Sequence, residues 1–119
     1  MLQQSRTARQ IRASTPLHIE RRAAIRYQSN HEASCAIGSE AQQAWGRVKD
    51  ISVQGVGLLL DREIKPGTRL VVDIHSKIQP LPMRVPAHVV RCEKHSSTTW
   101  VIGCKFEIPL SEEDLLFHL

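Results

Sequence analysis

The chain has 119 residues and a net charge of +4, which suits one globular domain with a single core. Apolar residues make up 41% of the sequence and aromatic residues only 4%, so the core must be mainly aliphatic. No apolar run approaches the roughly 20 residues of a membrane-spanning helix, and no apolar signal core opens the chain, so we expect a cytoplasmic protein without a membrane span.

The N-terminal segment, residues 1–20, is polar, and Ser14-Thr15-Pro16 interrupts any helix begun earlier. This segment is therefore predicted to be a flexible arm, and residues 21–119 are predicted to form one domain. The first strands are predicted within residues 27–38, 44–52 and 55–61. In the second of them the candidate core contacts are Trp45, Val48 and Ile51.

Turn and strand signals alternate through the second half of the chain. Lys65-Pro66-Gly67-Thr68 predicts a turn with a positive φ at Gly67. Residues 69–75 alternate as a strand, and three prolines then mark a loop and the start of an edge strand. Strands are predicted at 88–92 and 99–108, and the buried face of the last one holds Trp100, Ile102, Cys104, Phe106 and Ile108.

The chain closes with a helix signal. Ser111 is a candidate N-cap ahead of an acidic first turn, and the apolar side of this helix holds Leu115, Leu116 and Leu119. About six short strands followed by one helix predict a mainly β protein, namely a six-stranded antiparallel barrel. The helix is expected to cover one opening of the barrel.

Positive charge is concentrated before the first strand. Residues 1–26 hold six arginines and one glutamate, a net of +5, whereas residues 27–119 hold ten Lys and Arg against eleven Asp and Glu, a net of −1. Such a distribution indicates a local anion site, not an extended nucleic-acid-binding surface. Within it, Arg21, Arg22 and Arg26 offer planar guanidinium forks that fit phosphate oxygens or the O6/N7 edge of guanine.

A second polar string, Asp50-Ile51-Ser52-Val53-Gln54-Gly55, lies in a predicted turn between strands. The carboxylate of Asp50 can accept from the N1–H and N2–H₂ groups of guanine, and Ser52 can donate to a phosphate. Gly55 permits a positive φ and the close approach of a ligand to the backbone. An ordinary Asx turn explains this string equally well when it is taken alone.

The two strings together, Arg22-Ala-Ala-Ile-Arg26 and Asp50-x-Ser52-x-x-Gly55, resemble the PilZ domain family. Further resemblance lies in Val56-Gly57-Leu58, Pro66-Gly67-Thr68 and Ile102-Gly103-Cys104-Lys105-Phe106. The resemblance extends over about residues 20–117. It implies a bacterial, six-stranded split barrel that binds the second messenger cyclic di-GMP, with no cofactor and no catalysis.

By the same resemblance, Arg22 and Arg26 hold phosphate and guanine edges and Arg21 assists them. Asp50 and Ser52 contact a guanine, and Gly55 keeps the turn open. The arm is expected to fold onto the barrel around the ligand, and the output is a movement that acts through a partner protein or a fused domain. We expect a monomer or a weak homodimer that binds neither DNA nor RNA.

Two other functions stay open at this point. A PilZ-like adaptor that binds no nucleotide is one, although such members typically have a degraded arginine string and this chain retains it. A small RNA-binding barrel is the other, with Trp45 and Trp100 as stacking platforms. Arg91 and Lys94 lie near the end of a predicted strand, where they either add to the site or, as we favour, form a solvated strand end.

The remaining reactive side chains predict no chemistry. The three cysteines form no Cys-x-x-Cys pair, which is typical of reduced thiols. Cys104 is expected in the core, whereas Cys35 and Cys92 are taken as surface candidates. Six scattered histidines include no i, i+4 pair, so no metal site is predicted.

Overall fold

The structure, a computed structural model, describes residues 24–38, 42–117 and 119. Within these ranges the chain forms seven strands and one short helix. They are β1 (Tyr27–Gln28), β2 (Glu32–Ile37), β3 (Gln42–Ile51), β4 (Gly55–Leu60), β5 (Arg69–His75), β6 (Met83–Lys94), β7 (Trp100–Phe106) and α1 (Glu112–Phe117). The predicted flexible arm, residues 1–20, lies outside the described residues.

Six of these strands close into an antiparallel barrel. The order around the ring is β3-β2-β5-β6-β7-β4, and β4 pairs with β3 to complete it. The extra strand, β1, pairs through its two residues with the end of β3. The prediction of a mainly β, six-stranded antiparallel barrel with a C-terminal helix is therefore confirmed.

Aliphatic side chains fill the barrel, as the low aromatic content predicts. The largest fully buried ones are Ile51, Leu58, Leu60, Ile74 and Ile102. Each such side chain contributes about 1.5–3 kcal/mol relative to an exposed one. Because side chains alternate along a strand, the same strands present a polar outer face.

The middle of β3 differs from its predicted pattern. Strand alternation buries Ala44 and Val48 and leaves Trp45 on the outer face, where 57% of it is exposed. A bulge between Val48 and Asp50 then inserts one residue, which brings Ile51 back to the interior. The prediction that Trp45 is a core contact is wrong. Trp45 and Val48 are three residues apart, and residues at this spacing lie on the same face of a strand only where a bulge intervenes.

Two strand boundaries also differ from prediction. β6 begins well before residue 88 and includes Pro86, whose carbonyl accepts a hydrogen bond from the Glu107 amide at 3.0 Å. β7 ends at Phe106, so Ile108 lies beyond the strand and is 74% exposed rather than buried. Ile102, Cys104 and Phe106 are buried as predicted.

Local turn and capping chemistry agrees with prediction. The Thr68 amide donates to the Lys65 carbonyl at 3.2 Å, and Gly67 has a φ of 92°. The Asp114 amide donates to Ser111 Oγ at 3.0 Å, so Ser111 is the N-cap of α1. Leu115 packs into the core. In the described part of the chain, no helix is long and apolar enough to cross a membrane.

The cysteines are more buried than expected. Cys35 and Cys104 are both buried in the core, and Cys92 is half-buried. Burial raises the pKa of Cys35 to about 12, with smaller contributions from Cys104 and Asp73, and burial raises that of Cys104 to about 12. These two thiols therefore stay protonated at neutral pH, and the surface position considered for Cys35 is wrong.

Candidate functional site

Three of the predicted site residues meet at one corner of the barrel. Arg26 directly precedes β1, whose pairing with the end of β3 places Gln28 opposite Asp50. From there the Arg26 Nη2 and Nε groups donate to Asp50 Oδ1 at 2.6 and 3.2 Å, and Nη1 donates to Ser52 Oγ at 3.4 Å. A two-residue strand thus joins side chains that are 24 and 26 positions apart in sequence.

The carboxylate of Asp50 keeps one oxygen largely available. Oδ1 accepts both hydrogen bonds from Arg26, whereas Oδ2 faces only the ammonium of Lys49, at 3.6 Å. Partial burial alone would raise the pKa of Asp50, but the hydrogen bond and charge of Arg26, aided by Lys49, outweigh burial and hold this pKa below its ordinary value. Asp50 is therefore an acceptor at neutral pH.

Ser52 is fully buried and organises the turn between β3 and β4. Its amide donates to the Gly55 carbonyl at 2.9 Å, and its hydroxyl oxygen accepts from the Gln54 and Gly55 amides at 3.2 and 3.3 Å. The hydroxyl therefore fixes the turn and at the same time lies within reach of Arg26.

Close backbone packing explains the glycine at position 55. Among the glycines that the structure describes, positive φ occurs at Gly38 and Gly67, so Gly55 does not use the positive φ that glycine permits. A Cβ at Gly55 would collide with the backbone carbonyl oxygen of Cys104 on β7. The turn therefore needs glycine because two strands approach closely.

Next to this corner, four residues form one lateral row across the outer face of the barrel. Asp50 on β3 pairs with Gly57 on β4, Gly57 pairs with Gly103 on β7, and Gly103 pairs with Arg91 on β6. A carboxylate and a guanidinium therefore face each other over two residues without side chains. We call this set the glycine-floored row.

The row lies in a groove with a volume of about 580 Å³. Arg26 and Lys49 border it on the side of Asp50, and Val90, Arg91 and Val101 border it on the other side. The groove thus combines cationic groups, one carboxylate and a floor that includes two glycines. Such a surface suits a planar, anionic ligand with hydrogen-bonding edges.

Sequence reasoning left Arg91 open between an addition to the site and a solvated strand end, and favoured the second. In the structure Arg91 lines the groove with Arg26 and Asp50. The available signal was the pair of glycines inside strands, Gly57 and Gly103, because an interior glycine often marks close approach of a ligand or backbone. Arg21 and Arg22 lie outside the described residues.

Other chemistry finds little support in the described ranges. No three His, Cys, Asp or Glu side chains gather there closely enough to hold a metal ion. Trp100 is half-buried against the core and its ring centroid lies 5.7 Å from the Lys94 ammonium, whereas Trp45 lies on the outer face of the barrel. The two tryptophans therefore do not form a continuous stacking platform.

Comparisons with known proteins agree on one family. Residues 20–119 match the family model described as PilZ domain. A solved PilZ domain with cyclic di-GMP, of YcgR from Escherichia coli, is similar in structure with a TM-score of 0.60 and 16% identity, over 73% of this chain and 78% of that one. No curated protein is a significant match.

A second similar structure is the inhibitor of motility MotI/DgrA of Bacillus subtilis. Its TM-score is also 0.60, with 12% identity over 81% of this chain and 47% of that chain. Both structural similarities show that this chain shares the barrel fold.

Proposed function

The chain belongs to the PilZ domain family, and from this premise we propose that it is a receptor for cyclic di-GMP. PilZ domains are ligand-binding or adaptor domains and not enzymes, so we propose binding without catalysis. On binding, the N-terminal arm changes conformation and signals to a partner protein. Because cyclic di-GMP is an intracellular messenger, the receptor acts in the cytoplasm.

The observation that carries the proposal is the corner of Arg26, Asp50 and Ser52 beside the groove. The Arg26 guanidinium binds only one oxygen of Asp50, so it still has an open face for a phosphate. A charge-assisted hydrogen bond to that phosphate contributes about 1.5–3 kcal/mol. Asp50 Oδ2, which faces the Lys49 ammonium at 3.6 Å, is an acceptor for guanine N–H groups. The groove therefore offers partners for both parts of a cyclic guanine dinucleotide.

We assign the ligand contacts as follows. Arg22 and Arg26 hold phosphate and guanine edges, and Arg21 assists. Asp50 and Ser52 contact one guanine. Gly55 contributes by shaping the turn that presents Ser52, since it has no side chain to offer. The similar solved barrel from YcgR contains cyclic di-GMP, which supports this ligand for the fold.

The signal in this proposal is electrostatic. Arg21, Arg22 and Arg26 carry like charges close together in sequence, and a dianionic ligand neutralises them, so the segment before β1 closes on the barrel when the ligand binds. Fixing each backbone residue costs about 1–2 kcal/mol, which keeps the ordered stretch short. The partner then binds this closed form.

Isothermal titration calorimetry of the whole chain with cyclic di-GMP tests the receptor function. We expect binding in the micromolar range or tighter, since two or three charge-assisted contacts converge on the ligand. Absence of heat at ligand concentrations on the order of tens of micromolar would refute the receptor and favour an adaptor that binds no nucleotide.

Hydrogen exchange measured with and without ligand tests the movement. Amides of residues 10–26 should gain protection when cyclic di-GMP is added, because the arm closes over the ligand. Amides inside the barrel strands serve as the internal control and should change little. Unchanged protection over residues 10–26 in the presence of bound ligand would refute the movement while leaving the binding intact.

A further inference from the structure

We infer that Arg91 is a further ligand-binding residue, one that binds the O6/N7 edge of the guanine whose N1/N2 edge faces Asp50. This inference rests on the proposed function and specifies how the same groove selects guanine. Three observations support it. Arg91 lies at one end of the glycine-floored row, its side chain has no partner among the described residues, and the two ends of the row are a hydrogen-bond acceptor and a hydrogen-bond donor.

The position comes from strand register. Asp50 and Arg91 stand at the two ends of the row, three strand spacings apart, or about 14 Å between backbones. Their side chains turn toward each other over the floor. Asp50 Oδ1 lies 2.6 Å from the point that a Cβ on Gly57 would take, and Arg91 Nε lies 3.7 Å from the corresponding point on Gly103.

The floor between these two groups consists of glycines. Gly57 and Gly103 pair directly, so neither adds a side chain between the carboxylate and the guanidinium. The side chains that overlie the two glycines are those of Asp50 and Arg91 themselves, so a purine at this place meets these two polar groups. Val90, which a bulge in β6 leaves 55% exposed, and Val101 supply apolar contact at the border.

The Arg91 side chain is free to bind a ligand. Arg69 and Arg84 each bind a carboxylate of the barrel, at 2.7 and 2.8 Å, and Arg26 binds Asp50. Arg91 makes no hydrogen bond or ion pair with any residue that the structure describes. Its N–H donors therefore have no partner among the described residues, and the side chain lines the groove.

The chemistry of the two ends matches guanine. A carboxylate only accepts hydrogen bonds, and a guanidinium only donates them. Guanine presents two donors, N1–H and N2–H₂, on one edge and two acceptors, O6 and N7, on another, and arginine binds that acceptor pair through both prongs of its fork. Adenine lacks this combination, because an amino group replaces O6. A guanine on the floor thus satisfies Asp50 and Arg91 together.

Calorimetric titration of three variants tests the role of Arg91. Arg91→Ala removes the fork, Arg91→Lys retains the charge, and Arg62→Ala removes an equal charge from an exposed turn outside the groove. The probes are cyclic di-GMP and its 7-deaza analogue, in which carbon replaces N7 of each guanine. Thermal unfolding of each variant verifies the fold.

We expect Arg91→Ala to bind cyclic di-GMP about tenfold more weakly than wild type, Arg91→Lys to fall between them, and Arg62→Ala to stay within about twofold of wild type. The 7-deaza substitution should weaken wild type about tenfold and Arg91→Ala less than about twofold, because the lost N7 has no partner in that variant.

Two results would overturn the inference alone. If Arg91→Ala binds cyclic di-GMP with the same affinity as Arg62→Ala, Arg91 does not contact the ligand. An equal cost of the 7-deaza substitution in wild type and Arg91→Ala would show that Arg91 binds a phosphate and not the base. Wild type that binds neither probe would instead overturn the proposed function, and the role of Arg91 with it.

Discussion

Two arginine–aspartate pairs on the outer face of the barrel leave their carboxylates in opposite states. In the first, Arg84 Nε and Nη2 donate to Oδ1 and Oδ2 of Asp73 at 2.8 and 2.9 Å, so both oxygens are occupied. In the second, both donors of Arg26 converge on Oδ1 of Asp50, and Oδ2 has only Lys49 at 3.6 Å. The first pair is closed and the second is open.

Strand topology produces this difference. Asp73 and Arg84 are direct cross-strand neighbours on β5 and β6, so the fork meets the carboxylate in parallel and uses both prongs. Arg26 approaches Asp50 from outside the barrel, ahead of β1, and meets it at one oxygen. An ion pair therefore marks a binding site only when its geometry leaves an acceptor for something else.

The largest expected effect separates the two arginines. Arg26→Ala should weaken cyclic di-GMP binding at least tenfold, about 1.4 kcal/mol or more, because it removes both a phosphate partner and the support of Asp50. Arg84→Ala removes the same charge and should leave affinity unchanged. Calorimetry of the two variants decides the matter, and equal losses would mean that only net charge attracts the ligand.

The two aspartates should separate by base preference. Asp50→Ala should weaken cyclic di-GMP about tenfold and leave the weaker binding of cyclic di-AMP unchanged, because only guanine donates two N–H groups to that carboxylate. Asp73→Ala should cost about 0.2–1 kcal/mol of unfolding free energy and no affinity. Equal losses for both dinucleotides in Asp50→Ala would reduce Asp50 to a turn residue.

A smaller effect is expected from the residue beneath the open pair. A Cβ at Gly57 would lie 2.6 Å from Asp50 Oδ1, so Gly57→Ala should displace the carboxylate and weaken cyclic di-GMP about fivefold. The displaced atom ends a flexible side chain, so the melting temperature should change little. If titration shows that Gly57→Ala binds cyclic di-GMP as tightly as the wild type, the proposed orientation of Asp50 is contradicted.

The smallest effect concerns pH. Asp50 and Asp73 both have pKa values below the ordinary 3.8, Asp50 because Arg26 and Lys49 outweigh its burial and Asp73 mainly through its hydrogen bond to Arg84. Each carboxylate therefore stabilises the fold above that ordinary value, and its contribution is lost as the pH falls through the lowered pKa. Affinity for cyclic di-GMP should stay constant from about pH 8 to about pH 5. A decline in affinity within this pH range would mean that a titrating group other than Asp50 controls binding.

Local chemistry made much of the fold and part of the site predictable. The turn at Gly67, the N-cap at Ser111 and the alternation of β5 depend on neighbours in sequence. The strings around Arg26 and Asp50 pointed to one site because their order and spacing resemble a family. The assignment of ligand contacts to these residues stays a prediction until binding is measured.

Long-range pairing was the part that sequence could not supply. Trp45 was misplaced because the bulge after Val48 depends on how β3 pairs with β4. The place of Arg91 was left undecided because its pairing with Gly103, and that of Gly103 with Gly57, needs the register of four strands. Register is set by packing of the whole barrel, and no short window of sequence contains it.

The close packing at Gly55 has a consequence for how motifs are used to diagnose function in sequence surveys. This glycine is required because a carbonyl of β7 leaves no room for a side chain, whether or not a nucleotide ever binds. In this chain the glycine is therefore explained by the architecture alone. A survey that scores the charged ends of the row, Asp50 and Arg91, together with the arginine string would test the proposed role of Arg91.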